Sequence, residues 1–516
     1  MGEGSEPVPE SRAARLVSNT VVRGVAQAAS VIASFVLLPF LVRAFTLADY
    51  GVFMLASAVT GYAAILDLGL GATLVRMVAE RRAKNEESQV GSVVASVALF
   101  FTFVGVVAAL VMVGIGLLGG SLFAVQPAQA QLLAQLLAIG AVVQIIYWPA
   151  SAATHALSGF ERYDLLSATS IIQTVASVLA VVAVLLLRLG PVALALINAG
   201  ITLSMSLVLC VLFARIAWGR IGPLRPHLSL VRDAVRSGLP LCSIQLSGLL
   251  SRQATDRVVL GVLLGPQAVG IYEIASRLSM LVTQASELLT GAILPIAANM
   301  SAREHTQSIR ALFVRGARYS VVAITPLIVV LICIARPFIG AWFGPAMAPA
   351  VPVAQLLLAA QFFVPLYMVG DPILTGMNRF PSWAGWAFAV ALLNVALSVV
   401  FVKAFGLIGV AMGTAVATLI EFPLYGRLVV REMRLDWRKW IRQASVPGYP
   451  LLVVPILIAV AGAATILGQR LSTLFAVSAV AVTVYWALSW MLVLPKWERA
   501  ELVTAVSAMV KRRLAA

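Results

Sequence analysis

Arg23, Arg252, Arg257 and Arg277, with Asp67, Asp256, Glu273 and Glu287, stand inside apolar runs long enough to be helices. A charge at mid-bilayer costs about 2.5–3.5 kcal/mol on insertion scales, so such residues face a polar cavity and pair there. Arg252 and Asp256 are four residues apart, as are Glu273 and Arg277, so each pair can share a helix face and partly neutralise itself. Two chemistries follow for the arginines: a cationic patch for an anionic ligand, or a structural ion-pair network locking neighbouring helices. The four acids are candidates for taking up H+ or Na+ from a gradient. No G-x-x-x-x-G-K-S/T loop is present, which argues against direct use of ATP. Arg76, Arg236, Arg315, Arg318 and Arg427 lie within a turn or two of predicted cytoplasmic helix ends and are read as snorkelling. Asp371 before Pro372, and Glu421 before Phe422-Pro423, are each expected to mark a helix interruption. Cys210, Cys242 and Cys333 sit in apolar segments, and His155, His227 and His305 lie far apart, so neither a disulfide framework nor a metal site is expected.

The elements that must position these residues are membrane helices. The chain is 61% hydrophobic and 11% charged, against about 45–50% apolar and 25% charged in soluble domains. Apolar runs of the roughly 20 residues needed to cross a bilayer fall near 19–43, 51–76, 90–118, 130–156, 165–187, 191–214, 238–264, 268–297, 312–335, 351–375, 383–402, 407–430, 449–468 and 472–494. The fold class is therefore all-α and polytopic, with about fourteen transmembrane helices. The net charge of +16 is scattered over many short loops rather than gathered in one patch, which excludes nucleic acid as a partner and reports topology instead. Loops after even-numbered helices are rich in Lys and Arg, while the opposite side has Arg43, Arg188, Arg336, Lys403 and Arg470 at helix boundaries. Both termini are accordingly expected in the cytoplasm. The polar, acid-bearing start (Glu3, Glu6, Glu10) is unlike a cleavable signal, so the first apolar run is expected to remain as helix 1.

A repeat organises these spans. Phe45 to Ser57 resembles Leu264 to Ser276, with Gly51 matching Gly270 at an offset of 219; Leu157-Ser-Gly159-Phe-Glu-Arg162-Tyr163 resembles Leu374-Thr-Gly376-Met-Asn-Arg379-Phe380 at 217; Gly190 matches Gly406 at 216. Six spans return the chain to its starting side, so the copies share one orientation, as in transporters with a site between two lobes. The expected organisation is an N-terminal tail (1–18), an N-lobe of helices 1–6 (19–214), a basic linker (215–237), a C-lobe of helices 7–12 (238–430), a loop with helices 13–14 (431–494) and a C-terminal tail (495–516) that can lie on anionic lipid. Asp67 and Glu287 fall almost at equivalent positions.

The order Asn19, Arg23, Leu47-Ala-Asp49-Tyr50-Gly51 and Asp67-Leu-Gly69-Leu70, then Asp256-Arg257, Leu264-Gly265 and Val269-Gly270-Ile-Tyr272, resembles the oligosaccharide and polysaccharide flippases of the multidrug/oligosaccharidyl-lipid/polysaccharide (MOP) exporter superfamily over essentially the whole chain. The resemblance implies a two-lobed bundle with a cavity opening alternately to each side. It also implies a lipid-linked cargo, an oligosaccharide on undecaprenyl diphosphate, moved across the bacterial inner membrane for O-antigen, capsule or exopolysaccharide assembly. Expected partners are membrane lipids and the polysaccharide polymerase and chain-length machinery. A diphosphate in a low-dielectric cavity needs cations, and Arg contacts phosphate oxygens bidentately, so Arg23, Arg252, Arg257 and Arg277 would hold it. No cofactor beyond a coupling H+ or Na+ is implied, and no enzyme activity. The alternatives are a cation-coupled drug exporter of the same superfamily, which calls for an acid-dominated cavity, and a membrane-embedded glycan polymerase or glycosyltransferase, which calls for a sizeable external loop that this chain lacks.

Overall fold

The computed structural model describes residues 35–236, 238, 253–291, 293–302, 306–377, 381–444, 462, 471–492 and 498–500. Arg23, Arg252, Cys242, His305, all of the expected helix at 449–468 but residue 462, and all of the C-terminal tail but residues 498–500 lie outside these residues. Among the described residues every regular element is helical, and nine helical segments are long and apolar enough to cross a membrane.

The chain forms two compact units, Met1–Glu273 and Ile274–Ala516, so the basic segment 215–237 lies within the first. The first unit contains α1 (Phe35–Ala44), α2 (Leu47–Tyr62), α3 (Leu70–Ala83), α4 (Val90–Leu122), α5 (Pro127–Gly159), α6 (Tyr163–Leu186), α7 (Pro191–Ala217) and α8 (Gln253–Leu263). Helix α9 (Pro266–Thr290) runs across the division. The second unit continues with α10 (Ile293–Ala302), α11 (Thr306–Phe343), α12 (Ala350–Ala360), α13 (Val364–Tyr367), α14 (Gly370–Gly376), α15 (Pro381–Phe405), α16 (Leu407–Glu432), α17 (Trp437–Ala444) and α18 (Leu471–Leu492).

Local chemistry sets many of these ends. The Thr46 hydroxyl accepts the Asp49 N–H at 3.1 Å and starts α2. Pro127 and Pro191 open α5 and α7, where a missing N–H is harmless. The repeat matches fall on element boundaries: α2 and α9 start 219 residues apart, α5 and α14 end 217 apart, and α7 and α16 start 216 apart. The matched glycines also touch each other's helices. A Cβ on Gly51 would lie 1.8 Å from the Pro266 carbonyl oxygen, and one on Gly270 would lie 2.9 Å from that of Leu47, so each glycine admits the first turn of the opposite helix.

Three expectations are corrected. The span expected at 51–76 is α2, a 3-10 turn over Ala63–Asp67 and α3, because Leu68 and Gly69 adopt left-handed conformations (φ 50° and 73°) that end one helix before the next begins. The span expected at 268–297 is likewise not one helix, since α9 ends at Thr290 and α10 begins at Ile293, while the span expected at 351–375 is met by one long apolar segment, Ala350–Gly376, made of α12, α13 and α14. Conversely, Glu421 marks no interruption: α16 runs through Pro423. One missing backbone bond is absorbed where neighbouring helices pack.

Candidate functional site

The charges predicted on helices 7 and 8 meet across a hairpin. Gly265, with φ 84°, turns α8 back into α9 and brings Asp256 and Arg257 beside Tyr272 and Glu273. Arg257 Nη2 lies 2.7 Å from Glu273 Oε2, with side-chain exposures of 19% and 0%. The Tyr272 hydroxyl donates to the Asp256 carboxylate. Beside them Tyr62 on α2 donates to Thr255 Oγ1 at 2.6 Å. This ion pair crosses between α8 and α9, in addition to the two pairs along single helices that residue spacing raises. Arg277 follows one turn after Glu273 on α9 and is half-buried. Of the four arginines expected to hold an anion, Arg257 and Arg277 are described, and Arg257 already faces a carboxylate. An arginine has five N–H donors in a planar fork, so one carboxylate contact leaves others to present.

Asp67 and Glu287 both precede a helix break. Asp67 Oδ1 accepts the Gly71 N–H at 3.0 Å, which caps the first turn of α3 where the helix dipole favours an anion. Gly71 is also where the His155 ring packs: a Cβ there would meet its Cε1 at 2.5 Å. Glu287 has its side chain exposed, and its carbonyl accepts the Gly291 N–H at 2.9 Å as α9 ends.

A second polar cluster joins α13 and α14 to α16. The Tyr367 hydroxyl donates to Glu421 Oε2 at 3.3 Å, and the Tyr425 hydroxyl donates to Asp371 Oδ1. Each strand of this clasp carries one tyrosine and one acid four residues apart, one helical turn, so the two pairs cross reciprocally. The tyrosine rings meet edge-on with centroids 5.5 Å apart. Sequence reading singled out both acids as helix-break markers but missed their tyrosines; the four-residue spacing in each segment was the available signal.

The arginines read as snorkelling divide into different kinds. Arg76 is exposed and 3.9 Å from Glu80, as a snorkelling residue would be. Arg318 is an anchor: Nη1 lies 2.8 Å from the buried Glu498 and Nε donates to the Gln443 carbonyl at 3.0 Å. It ties α11 to α17, whose Trp440 stacks on Phe313 with centroids 5.4 Å apart. Arg315 lines a cavity of about 740 Å³ in the second unit, with Tyr319 one turn further along α11.

The nine helical segments long and apolar enough to cross a bilayer, among the described residues, define a multi-pass membrane protein. The fold is similar to that of the lipid II flippase MurJ in an inward closed conformation, with a TM-score of 0.70 and 13% identity over 91% of this chain and 99% of that one. It is also similar to an inward-facing multidrug-resistance MATE transporter of the MOP superfamily, with a TM-score of 0.64 and 16% identity over 80% of this chain and 95% of that one. Residues 16–301, more than half of the chain, match the polysaccharide biosynthesis protein family, and the chain belongs to that family. A probable low-salt glycan biosynthesis flippase of Haloferax volcanii, Agl15, is 23% identical over 171 residues, which are 33% of this chain and 36% of that relative, so the match spans about a third of the relative's length.

Proposed function

We propose that the chain flips oligosaccharide units linked to undecaprenyl diphosphate across the bacterial inner membrane by alternating access, supplying O-antigen, capsule or exopolysaccharide assembly. The observation that carries this reading is membership of the polysaccharide biosynthesis family over residues 16–301. The arginines inside the membrane helices support it, since a diphosphate leaving water needs charge-assisted hydrogen bonds. Arg257 and Arg277, with Arg23 and Arg252, are assigned to the diphosphate. Asp67, Asp256, Glu273 and Glu287 are assigned to H+ or Na+ coupling, with Glu287 first among them because its side chain is exposed. Both termini lie in the cytoplasm in this scheme, and the polymerase and chain-length machinery receive the flipped unit. Arg277→Glu is expected to abolish surface polysaccharide at unchanged protein level; normal export in that variant would overturn its assignment.

The second reading, a cation-coupled drug exporter, is favoured by the likeness of fold to the MATE transporter. Deleting the gene separates the two readings. Loss of surface glycan with unchanged drug susceptibility supports the flippase, and the reverse supports the exporter.

A further inference from the structure

The basic segment after α7 leaves large apolar side chains bare. Residues 215–228 include Arg215, Arg220 and Arg225 and no acid. All three arginines are exposed, and among the described residues none of them has an ion pair or a side-chain hydrogen bond. Beside them Trp218 is 86% exposed and Leu228 85%, with Leu224 exposed as well. These side chains are as bare as Leu117 and Leu186 on the bilayer-length helices α4 and α6, at 80% and 78%.

The segment is fastened along the start of α4. The Gly222 N–H donates to the Ser88 carbonyl at 3.0 Å, and the His227 N–H donates to Ser96 Oγ at 2.9 Å. Glycine permits the approach: a Cβ on Gly222 would lie 2.1 Å from the Ser88 carbonyl oxygen, and one on Gly91 would lie 2.2 Å from that of Gly222. Helix α4 has 33 residues, about 50 Å at 1.5 Å per residue, against a hydrocarbon core of about 30 Å, so the helix is long enough to project from the core. One turn beyond Ser96, Leu99 is exposed, and Phe103 follows one turn later. The apolar outer surface of α4 therefore begins where the fastened segment ends, which sets Trp218, Leu224 and Leu228 at the edge of the bilayer.

The second copy of the repeat supplies a contrast. At the offset of 216 that relates Gly190 to Gly406, Arg215 corresponds to Arg431, and the segment after α16 is again basic. Its tryptophans are covered by the protein itself: Trp440 stacks on Phe313, and the Trp437 ring centroid lies 5.8 Å from that of Phe422. Trp218 has no such cover. A bias toward positive cytoplasmic loops accounts for arginines in both copies but not for a bare indole and two bare leucines in one. Trp and Leu beside Arg suit the headgroup boundary, where the apolar side chains enter the acyl region and the phosphates of anionic lipids meet the guanidinium groups. An acidic soluble protein would satisfy the charge, but the position beside the apolar surface of α4 favours lipid.

We propose that residues 215–228 bind anionic phospholipid of the cytoplasmic leaflet, with lipid phosphates on Arg215, Arg220 and Arg225 and acyl chains against Trp218, Leu224 and Leu228. The site does not depend on which cargo the protein moves.

The test is quenching of indole fluorescence by lipid. Full-length protein is reconstituted into bilayers of phosphatidylcholine and phosphatidylglycerol in which one or the other lipid carries bromine on its acyl chains. The chain has 10 tryptophans, so Trp218 is read as the difference between wild type and Trp218→Phe. Brominated phosphatidylglycerol is expected to quench that difference more strongly than brominated phosphatidylcholine at equal content. Arg220→Gln with Arg225→Gln should lower this preference by about fivefold while quenching by phosphatidylcholine persists. Leu228→Trp in the Trp218→Phe background places a second indole on the segment and decides the question if the first variant does not fold. Absence of quenching by either lipid overturns the proposal, and is the result expected if a soluble partner covers the segment. Equal quenching by the two lipids, or a preference that the arginine substitutions leave intact, overturns it as well.

Discussion

In the first copy of the repeat the second helix breaks between Tyr62 and Leu70, around Asp67, and in the second copy the corresponding helix ends at Thr290, three residues after Glu287, before another begins at Ile293. Asp67 caps the helix that follows it, whereas Glu287 keeps its side chain exposed. The asymmetry widens elsewhere. At the repeat offset, Asp256, Arg257, Tyr272 and Glu273 correspond to Leu37, Leu38, Phe53 and Met54. The clasp residues Tyr367, Asp371, Glu421 and Tyr425 correspond to Ala150, Thr154, Met205 and Leu209. The two copies thus share backbone devices, the reciprocal glycines and the broken helix, while these buried polar clusters are built from second-copy residues. Backbone geometry that both copies need is retained in both. Polar chemistry, costly to bury in a membrane, is found in one copy at each of these positions.

The largest expected effect tests that substitution of charge for hydrocarbon. Arg257→Ala removes the cation 2.7 Å from buried Glu273 and should destabilise the protein by about 3–5 kcal/mol, read as a fall in the thermal midpoint in detergent. Arg257→Leu with Glu273→Met copies Leu38 and Met54 of the first copy. It should recover most of that stability, because apolar replacement of a buried pair is often neutral, and it should still lose transport. A double variant no more stable than the single one would break the comparison. Gly51→Ala and Gly270→Ala test the shared contact. Both should destabilise, by about 1–3 kcal/mol, from overpacking, and Gly51→Ala by more, since its Cβ would meet backbone at 1.8 Å against 2.9 Å. Equal effects would argue that the notch is more symmetric than the structure has it. In the clasp, Tyr425→Phe removes the donor to Asp371 and should cost about 1–3 kcal/mol. A double-mutant cycle with Tyr367→Phe should show coupling, and simple additivity would mean that the pairs act separately. The smallest stability effects separate the acids at the breaks. Asp67→Ala should cost about 0.5–2 kcal/mol as a lost cap, while Glu287→Ala should stay within about 0.5 kcal/mol yet slow transport.

Composition and the recurrence of apolar runs made the class of fold legible, and the matches at Gly51, Gly159 and Gly190 placed element boundaries that the structure shares between copies. The break after Asp67 was not legible, because Leu68 takes a left-handed conformation that hydropathy does not record, and a carboxylate cap three residues before the helix adds no periodicity. The candidate charges were visible as charges. The contact between Arg257 and Glu273 was not, since residue spacing reports neighbours along one helix, while these two meet only after Gly265 reverses the chain. Arg315 and Arg318 show the same limit. Three residues apart at one end of one helix, they read alike, yet one lines a cavity and the other is locked to Glu498 by a segment 180 residues away.

The central claim is that this chain moves a lipid-linked glycan between leaflets, and reconstitution tests it most directly. Purified protein in liposomes carrying undecaprenyl diphosphate-linked oligosaccharide is followed by the fraction of glycan that an added, membrane-impermeant glycosidase can reach. Wild type should raise that fraction well above protein-free liposomes, and Arg277→Glu should return it to background. Accessibility equal to the protein-free control in wild type, with the protein folded and inserted, would contradict the account.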